Sequence, residues 1–211
     1  MRSVRERSVG FRPPQQTRSQ ESLERVLAAA EHVLASRGLE EFTIAAVAER
    51  AGRSVGAIYR RFSGKEQLLR AVKDQVLGLL ETSVAEALRS PAPGLRGVVD
   101  AFTGALAHTF TRHDRIFPEL LEGQRADARE RSFQALATIQ HAFVEAARPC
   151  MGEVRHPDPA MAIRMASRTV IGSCVHRAAT CRFWPDDMTW GTWATETTEM
   201  VLAYLLAPEH A

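Results

Sequence analysis

Residues 43–72, TIAAVAERAGRSVGAIYRRFSGKEQLLRAV, hold two helical segments too short to stand alone, split by a glycine and followed by the start of a longer helix. Thr43 precedes Ile44-Ala45-Ala46-Val47-Ala48-Glu49-Arg50 in the position of an N-cap, where a side-chain oxygen satisfies an orphan backbone N–H, and Gly52 ends that run. Ser54 is placed to cap a second segment reaching Phe62, and Ser63-Gly64 separates it from a helix opening at Lys65-Glu66. A turn between two crossing helices needs a residue that tolerates positive φ and, four positions earlier, a side chain small enough for close approach. Gly52 and Ala48 meet both needs. The spacing predicts a helix-turn-helix over 43–62 whose inward residues are Val47, Ile58 and Phe62.

Upstream, Leu23, Val26, Leu27, Ala30, Val33 and Leu34 recur at helical steps from Ser19, and Gly38 is a C-terminal stop, so a first helix completes a three-helix unit. Residues 1–18 carry Arg2, Arg5, Arg7, Arg12 and Arg18, one glutamate and Pro13-Pro14 with no apolar period, and read as a flexible basic arm. Either groove contact or a solvated tail accounts for those arginines. Downstream, the helix from Lys65 is expected to continue towards Arg89, where Pro91-Ala92-Pro93-Gly94 breaks it. Further helical periods run through 95–112, 116–123, 127–148, 159–181 and 189–206, with no strand-like alternation. The expected class is all-α: a helix-turn-helix domain over 19–75, then a larger helical domain over 76–211.

Composition narrows the classes of function. Hydrophobic residues are 45% and charged residues 25% of 211, the balance of a folded globular chain. No run approaches the roughly 18 apolar residues of a bilayer span, and no apolar stretch follows the N-terminal arginines as a secretion signal requires. Cys150, Cys174 and Cys181 form no CxxC pair, which fits a reducing compartment; a cytoplasmic location is expected. The net charge of +2 hides an asymmetry: residues 1–75 carry 14 Lys and Arg against 9 Asp and Glu, whereas 76–211 carry 13 against 16. A basic N-terminal third is suited to a polyanion.

With Val47, Ile58 and Phe62 inward, the opposite face of the second short helix presents Ser54, Val55, Gly56, Ala57, Arg60 and Arg61. Small side chains allow close approach to base edges in a major groove, while Tyr59 and the arginines suit phosphate oxygens or guanine. Tyr59 also suits the core. Lys65, beside the N–H groups of a helix start, adds a phosphate site. The stretch from Thr43 to Val72 closely resembles the DNA-binding domain of the TetR family of bacterial transcriptional regulators. The likeness rests on Thr43, Ala51-Gly52, Ser54-Val55-Gly56, Tyr59-Arg60-Arg61-Phe62 and Lys65-Glu66. Arg53 departs from the small apolar residue usual after the turn glycine; an extra phosphate contact and a solvated turn residue are equally consistent with it.

The resemblance implies a homodimer on a palindromic operator, repression as the sign of control, and a C-terminal domain that takes a small-molecule effector. Two apolar helices at the C-terminal end fit a two-fold bundle, with Met165, Ile171, Cys174, Val175, Trp193, Met200, Val201 and Tyr204 as interface candidates. Phe102, Phe110, Phe117 and Phe143 are candidates for an effector cavity or for ordinary core. Two other readings compete: a constitutive helix-turn-helix binder or activator without small-molecule control, and an enzyme. For the enzyme there is no GxSxG, HExxH or GxGxxG, His108 and His113 are five apart, Cys174 and His176 fall on different helix faces, and Glu119 and Glu122 read as a solvated edge. No catalytic residue, metal or cofactor is expected.

Overall fold

The computed structural model describes residues 15–121, 126–181, 183–184 and 186–207. Arg2, Arg5, Arg7 and Arg12, the side chain of Arg18, the side chain of Glu119 and all of Glu122 lie outside the described residues. Within them the chain is all-helical: α1 (Gln15–Arg37), α2 (Ile44–Ala51), α3 (Val55–Tyr59), α4 (Lys65–Ala87), α5 (Gly94–Arg112), α6 (Phe117–Leu121), α7 (Ala126–Ala147), a 3-10 turn (Arg148–Glu153), α8 (Pro159–Thr180) and α9 (Trp190–Leu206). Two boundaries differ from the sequence reading. The α1 helix starts at Gln15, so 15–18 are helical rather than part of a flexible arm. Glutamine and arginine favour helix while carrying no apolar period to reveal it. The α3 helix closes at Tyr59 instead of reaching Phe62, because the chain turns there to bury the Phe62 ring.

Helices α1 to α3 form the expected three-helix unit, and α4 leaves it to enter the second domain. The expected domain boundary at 75/76 falls inside α4, so one continuous helix joins the two units. Buried side chains run as a single cluster from Val26 on α1 to Leu205 on α9. In the second domain α5 packs most extensively on α9, with α4 on its other side, and α7 bridges α4 and α8. A buried hydrogen bond of 2.8 Å between the Thr103 and Thr198 hydroxyls joins α5 to α9. The α5 N-terminus is capped from far away: the Leu95 N–H donates to both Glu153 carboxylate oxygens, at 3.2 and 3.1 Å, across 58 residues. That carboxylate meets the positive end of the helix dipole.

A close backbone passage lies at the same helix start. A Cβ placed on Gly97 would lie 1.9 Å from the Ala92 carbonyl oxygen, whereas one on Gly104, on the same helix, meets nothing within 4 Å. Gly97→Ala is therefore expected to destabilise the chain by about 1–3 kcal/mol through forced displacement of backbone. Gly104→Ala should stabilise it by about 0.5–1 kcal/mol, the ordinary gain of alanine over glycine in a helix. Denaturant midpoints of the two variants check both signs.

Candidate nucleic-acid interface

The helix-turn-helix forms as its residue types dictate. Thr43 Oγ1 accepts from the Ala46 N–H at 3.1 Å and Ser54 Oγ from the Ala57 N–H at 3.1 Å, so both short helices carry side-chain caps. Gly52 takes φ 61°, and the N–H groups of Gly52 and Arg53 close the end of α2 on Glu49 and Ala48 at 3.2 and 2.9 Å. Val47, Ile58 and Phe62 are buried, and so is Ala48 at the helix crossing. Thr43 is thereby occupied as a cap. The outward face carries Ser54, Val55, Gly56, Tyr59, Arg60 and Arg61, all exposed, with Ala57 half-buried. Tyr59 is 54% exposed, which removes it from the core.

The cations on this face divide in two. Arg61 donates to the Ser19 carbonyl at 3.1 Å and to its hydroxyl at 2.7 Å, tying α3 to the start of α1. Lys65, expected beside a phosphate, donates from Nζ to the Leu39 carbonyl at 2.7 Å and lies 5.8 Å from the Phe42 ring centroid. The ammonium lies just beyond the C-terminal end of α1, where the helix dipole favours positive charge. In this structure it binds the start of α4 to the turn that follows α1. The side chains of Arg53 and Arg60 are exposed and make no hydrogen bond or ion pair among the described residues. Together with Arg61 they edge a groove of about 290 Å³ between α1 and α3. What sequence reasoning missed is the role of Ser19 and Leu39, since contacts over 42 and 26 residues leave no local pattern.

In the second domain the four candidate phenylalanines separate. Phe102 and Phe143 are fully buried, pack on each other at 4.6 Å between centroids and do not line the cleft described next; they are core. Phe110 and Phe117 stack at 3.8 Å and line a cleft of about 590 Å³ walled by α4 to α8. Lys73, Arg129 and Phe133 also line it, unforeseen. The available signal was a lysine within the apolar register Lys73, Leu77, Leu80. Beside the cleft, His113 stands edge-on to Phe117 at 6.3 Å, and its Nδ1 lies 2.7 Å from Glu31 on α1. A contact thus runs from the cleft wall to the helix-turn-helix unit.

The interface candidates also separate. Ile171, Cys174, Trp193 and Val201 are buried within their own chain, Trp193 donating to Ser173 Oγ at 3.0 Å. They are corrected to core, since a residue that fills its own chain's interior cannot also face a partner. Burial likewise pushes the Cys174 thiol well above its ordinary pKa. Val175 is half-buried and lines the cleft. Met165, Met200 and Tyr204 are exposed, joined by Met161 and Leu206, which the candidate set omitted. No described helix is long and apolar enough to cross a membrane.

Residues 26–72 match the family model of the bacterial regulatory proteins of the tetR family. Among solved structures, the TetR-family regulator PfmR from Thermus thermophilus is 20% identical, with a TM-score of 0.64 over 89% of this chain and 97% of that one. FadR from Bacillus subtilis, solved in complex with stearoyl-CoA, is 18% identical, with a TM-score of 0.64 over 86% and 98%. SmeT, the repressor of the Stenotrophomonas maltophilia multidrug efflux pump SmeDEF, is 22% identical, with a TM-score of 0.62 over 86% and 88%. No curated protein matches the sequence. The N-terminal unit is a TetR-family DNA-binding domain, and the described chain as a whole has the fold of TetR-family regulators.

The division among the cations is measurable. Arg60→Ala should leave the thermal midpoint unchanged and weaken duplex DNA binding. Lys65→Ala, which strips a half-buried carbonyl of its charged donor, should cost about 1 kcal/mol of stability before any effect on DNA is counted. Thermal melts and gel retardation on the same preparations check this; equal melting of the two variants would contradict the assignment.

Proposed function

We propose that this chain is a ligand-responsive transcriptional regulator, a repressor acting in the cytoplasm, that binds a palindromic operator as a homodimer and leaves it when a small molecule occupies the second domain. The carrying observation is the exposed α3 face with its unengaged Arg53 and Arg60, held on a TetR-family domain whose core continues into a helical domain with an apolar cleft. In this reading Ser54, Val55, Gly56 and Ala57 lie against base edges, and Tyr59, Arg53 and Arg60 against phosphates or guanine. Thr43, Arg61 and Lys65 act by positioning, and the uncapped start of α4 at Gly64 offers further N–H groups to phosphate.

Two recognition helices need a two-fold partner to read two half-sites. The exposed apolar side chains Met161 and Met165 on α8 with Met200 and Tyr204 on α9 supply the face for it, a smaller set than the sequence indicated. Control follows from differential binding: a cleft occupant favours a dimer whose recognition helices are wrongly spaced for the operator. The Phe117, His113 and Glu31 contacts give the cleft a physical connection to α1. A constitutive binder without a ligand is the second reading, favoured if the cleft proves inert.

The testing experiment is a retardation assay on palindromic duplexes from the neighbourhood of the chain's own gene. Log affinity is expected to fall linearly with log salt, by about 0.9 for each phosphate neutralised. Salt-independent binding, or no preference over random duplex, would sink the reading. Met165→Glu or Met200→Glu should give a folded monomer by sedimentation and lose operator affinity with it, since both side chains are exposed in the single chain. An unchanged dimer would move the interface elsewhere.

A further inference from the structure

The groove of about 290 Å³ between α1 and α3 has an apolar floor and a cationic rim. The buried Val26, Ile58 and Phe62 make the floor, and Arg53, Arg60 and Arg61 edge it. None of the three guanidinium groups meets a carboxylate among the described residues. Arg53 and Arg60 make no hydrogen bond or ion pair, and Arg61 is held by the neutral hydroxyl and carbonyl of Ser19. The position of the groove matters as much as its charge. A B-form major groove is about 12 Å wide and an α-helix with its side chains about 10–12 Å across, so an inserted α3 fills it. The neighbouring α1 cannot enter beside it, and the groove between the two helices then straddles the ridge that bounds the major groove, a sugar-phosphate strand. Base edges lie on the groove floor instead, before the exposed Ser54, Val55 and Gly56.

We propose that this groove seats one backbone segment of the operator in each half-site, the phosphate held between Arg53 and Arg60 and the deoxyribose over Ala57, so that both arginines fix register and neither reads a base. The inference deepens the regulator reading and rests on it, since it assigns these two side chains to the DNA backbone alone. A guanidinium gives a phosphate charge-assisted hydrogen bonds from a planar fork, and two forks on one anion hold it in place as well as attract it. An arginine so engaged contributes to affinity on every sequence and leaves discrimination to the small side chains at the start of α3.

The test uses the full chain with a duplex it selects from a randomised pool, a random duplex of equal length, and copies of the selected duplex carrying a neutral methylphosphonate at one backbone position at a time. Arg53→Gln and Arg60→Gln alter exposed side chains without partners, so their thermal midpoints should match the parent chain. Each is expected to weaken the selected and the random duplex alike, by about tenfold, and to lower the salt slope by about 1, with the preferred bases unchanged. The parent chain should lose about tenfold at one methylphosphonate position in each half-site, and both variants about twofold or less at that same position, because the interaction is already gone. A loss confined to the selected duplex with relaxed base preference would show guanine reading and overturn the proposal. So would an unchanged salt slope, or methylphosphonate sensitivity that persists in both variants. A parent chain that prefers no duplex overturns the regulator reading itself, and this contact with it.

Discussion

An apolar stripe on one helix constrains everything else in this molecule. Leu68, Val72, Val76, Leu80 and Val84 recur every four residues along α4, and each is buried. At 1.5 Å per residue the stripe is about 24 Å long, and no single neighbour covers it. The α1 helix packs on α4 from the DNA-binding side, α5 and α7 from the other. Neither half can therefore detach without exposing part of the stripe, at about 25 cal/mol for each Å² of apolar surface returned to water. Motion between the halves has to be tilting of α4 with its neighbours, because no flexible linker exists at the junction.

That constraint explains how so slight a recognition element is held. A five-residue helix is far below the length at which a helix is stable by itself. Its order comes from the Ser54 cap, the burial of Ile58 and Phe62, and two cations that reach back along the chain: Arg61 to Ser19 on α1 and Lys65 to Leu39 just after it. The chain spends part of its positive charge in fixing the recognition helix, so a count of cations overstates the number available to DNA. Those with no partner among the described residues, Arg53 and Arg60, stand on the rim of the α3 face.

The second domain repeats the same division, between groups that build the core and groups that line an open cleft. Phe102 and Phe143 seal the interior, while the stacked pair of Phe110 and Phe117 faces the cleft, with the Phe110 ring 5.0 Å from that of Trp190. The His113 ring stands edge-on to Phe117 and reaches Glu31 on the first helix of the DNA-binding unit.

Sequence alone determined the class, the helix boundaries to within a few residues, and the inward and outward faces of the helix-turn-helix. Those features are local: caps at Thr43 and Ser54, the positive φ at Gly52, and helical periodicity act over four residues or fewer. Four of the eight proposed interface residues, Ile171, Cys174, Trp193 and Val201, were misassigned because periodicity shows that a helix has an apolar face and not which partner covers it. The same limit hid the separation of the phenylalanines, the place of Lys73 and Arg129 in the cleft lining, and the staples at Arg61 and Lys65. Tertiary structure decided these because each depends on which distant segments meet: a carbonyl 26 residues away for Lys65, a carboxylate 58 residues away for the start of α5. A side chain's role is set by its nearest neighbours in space, and for these residues the neighbours lie on other helices.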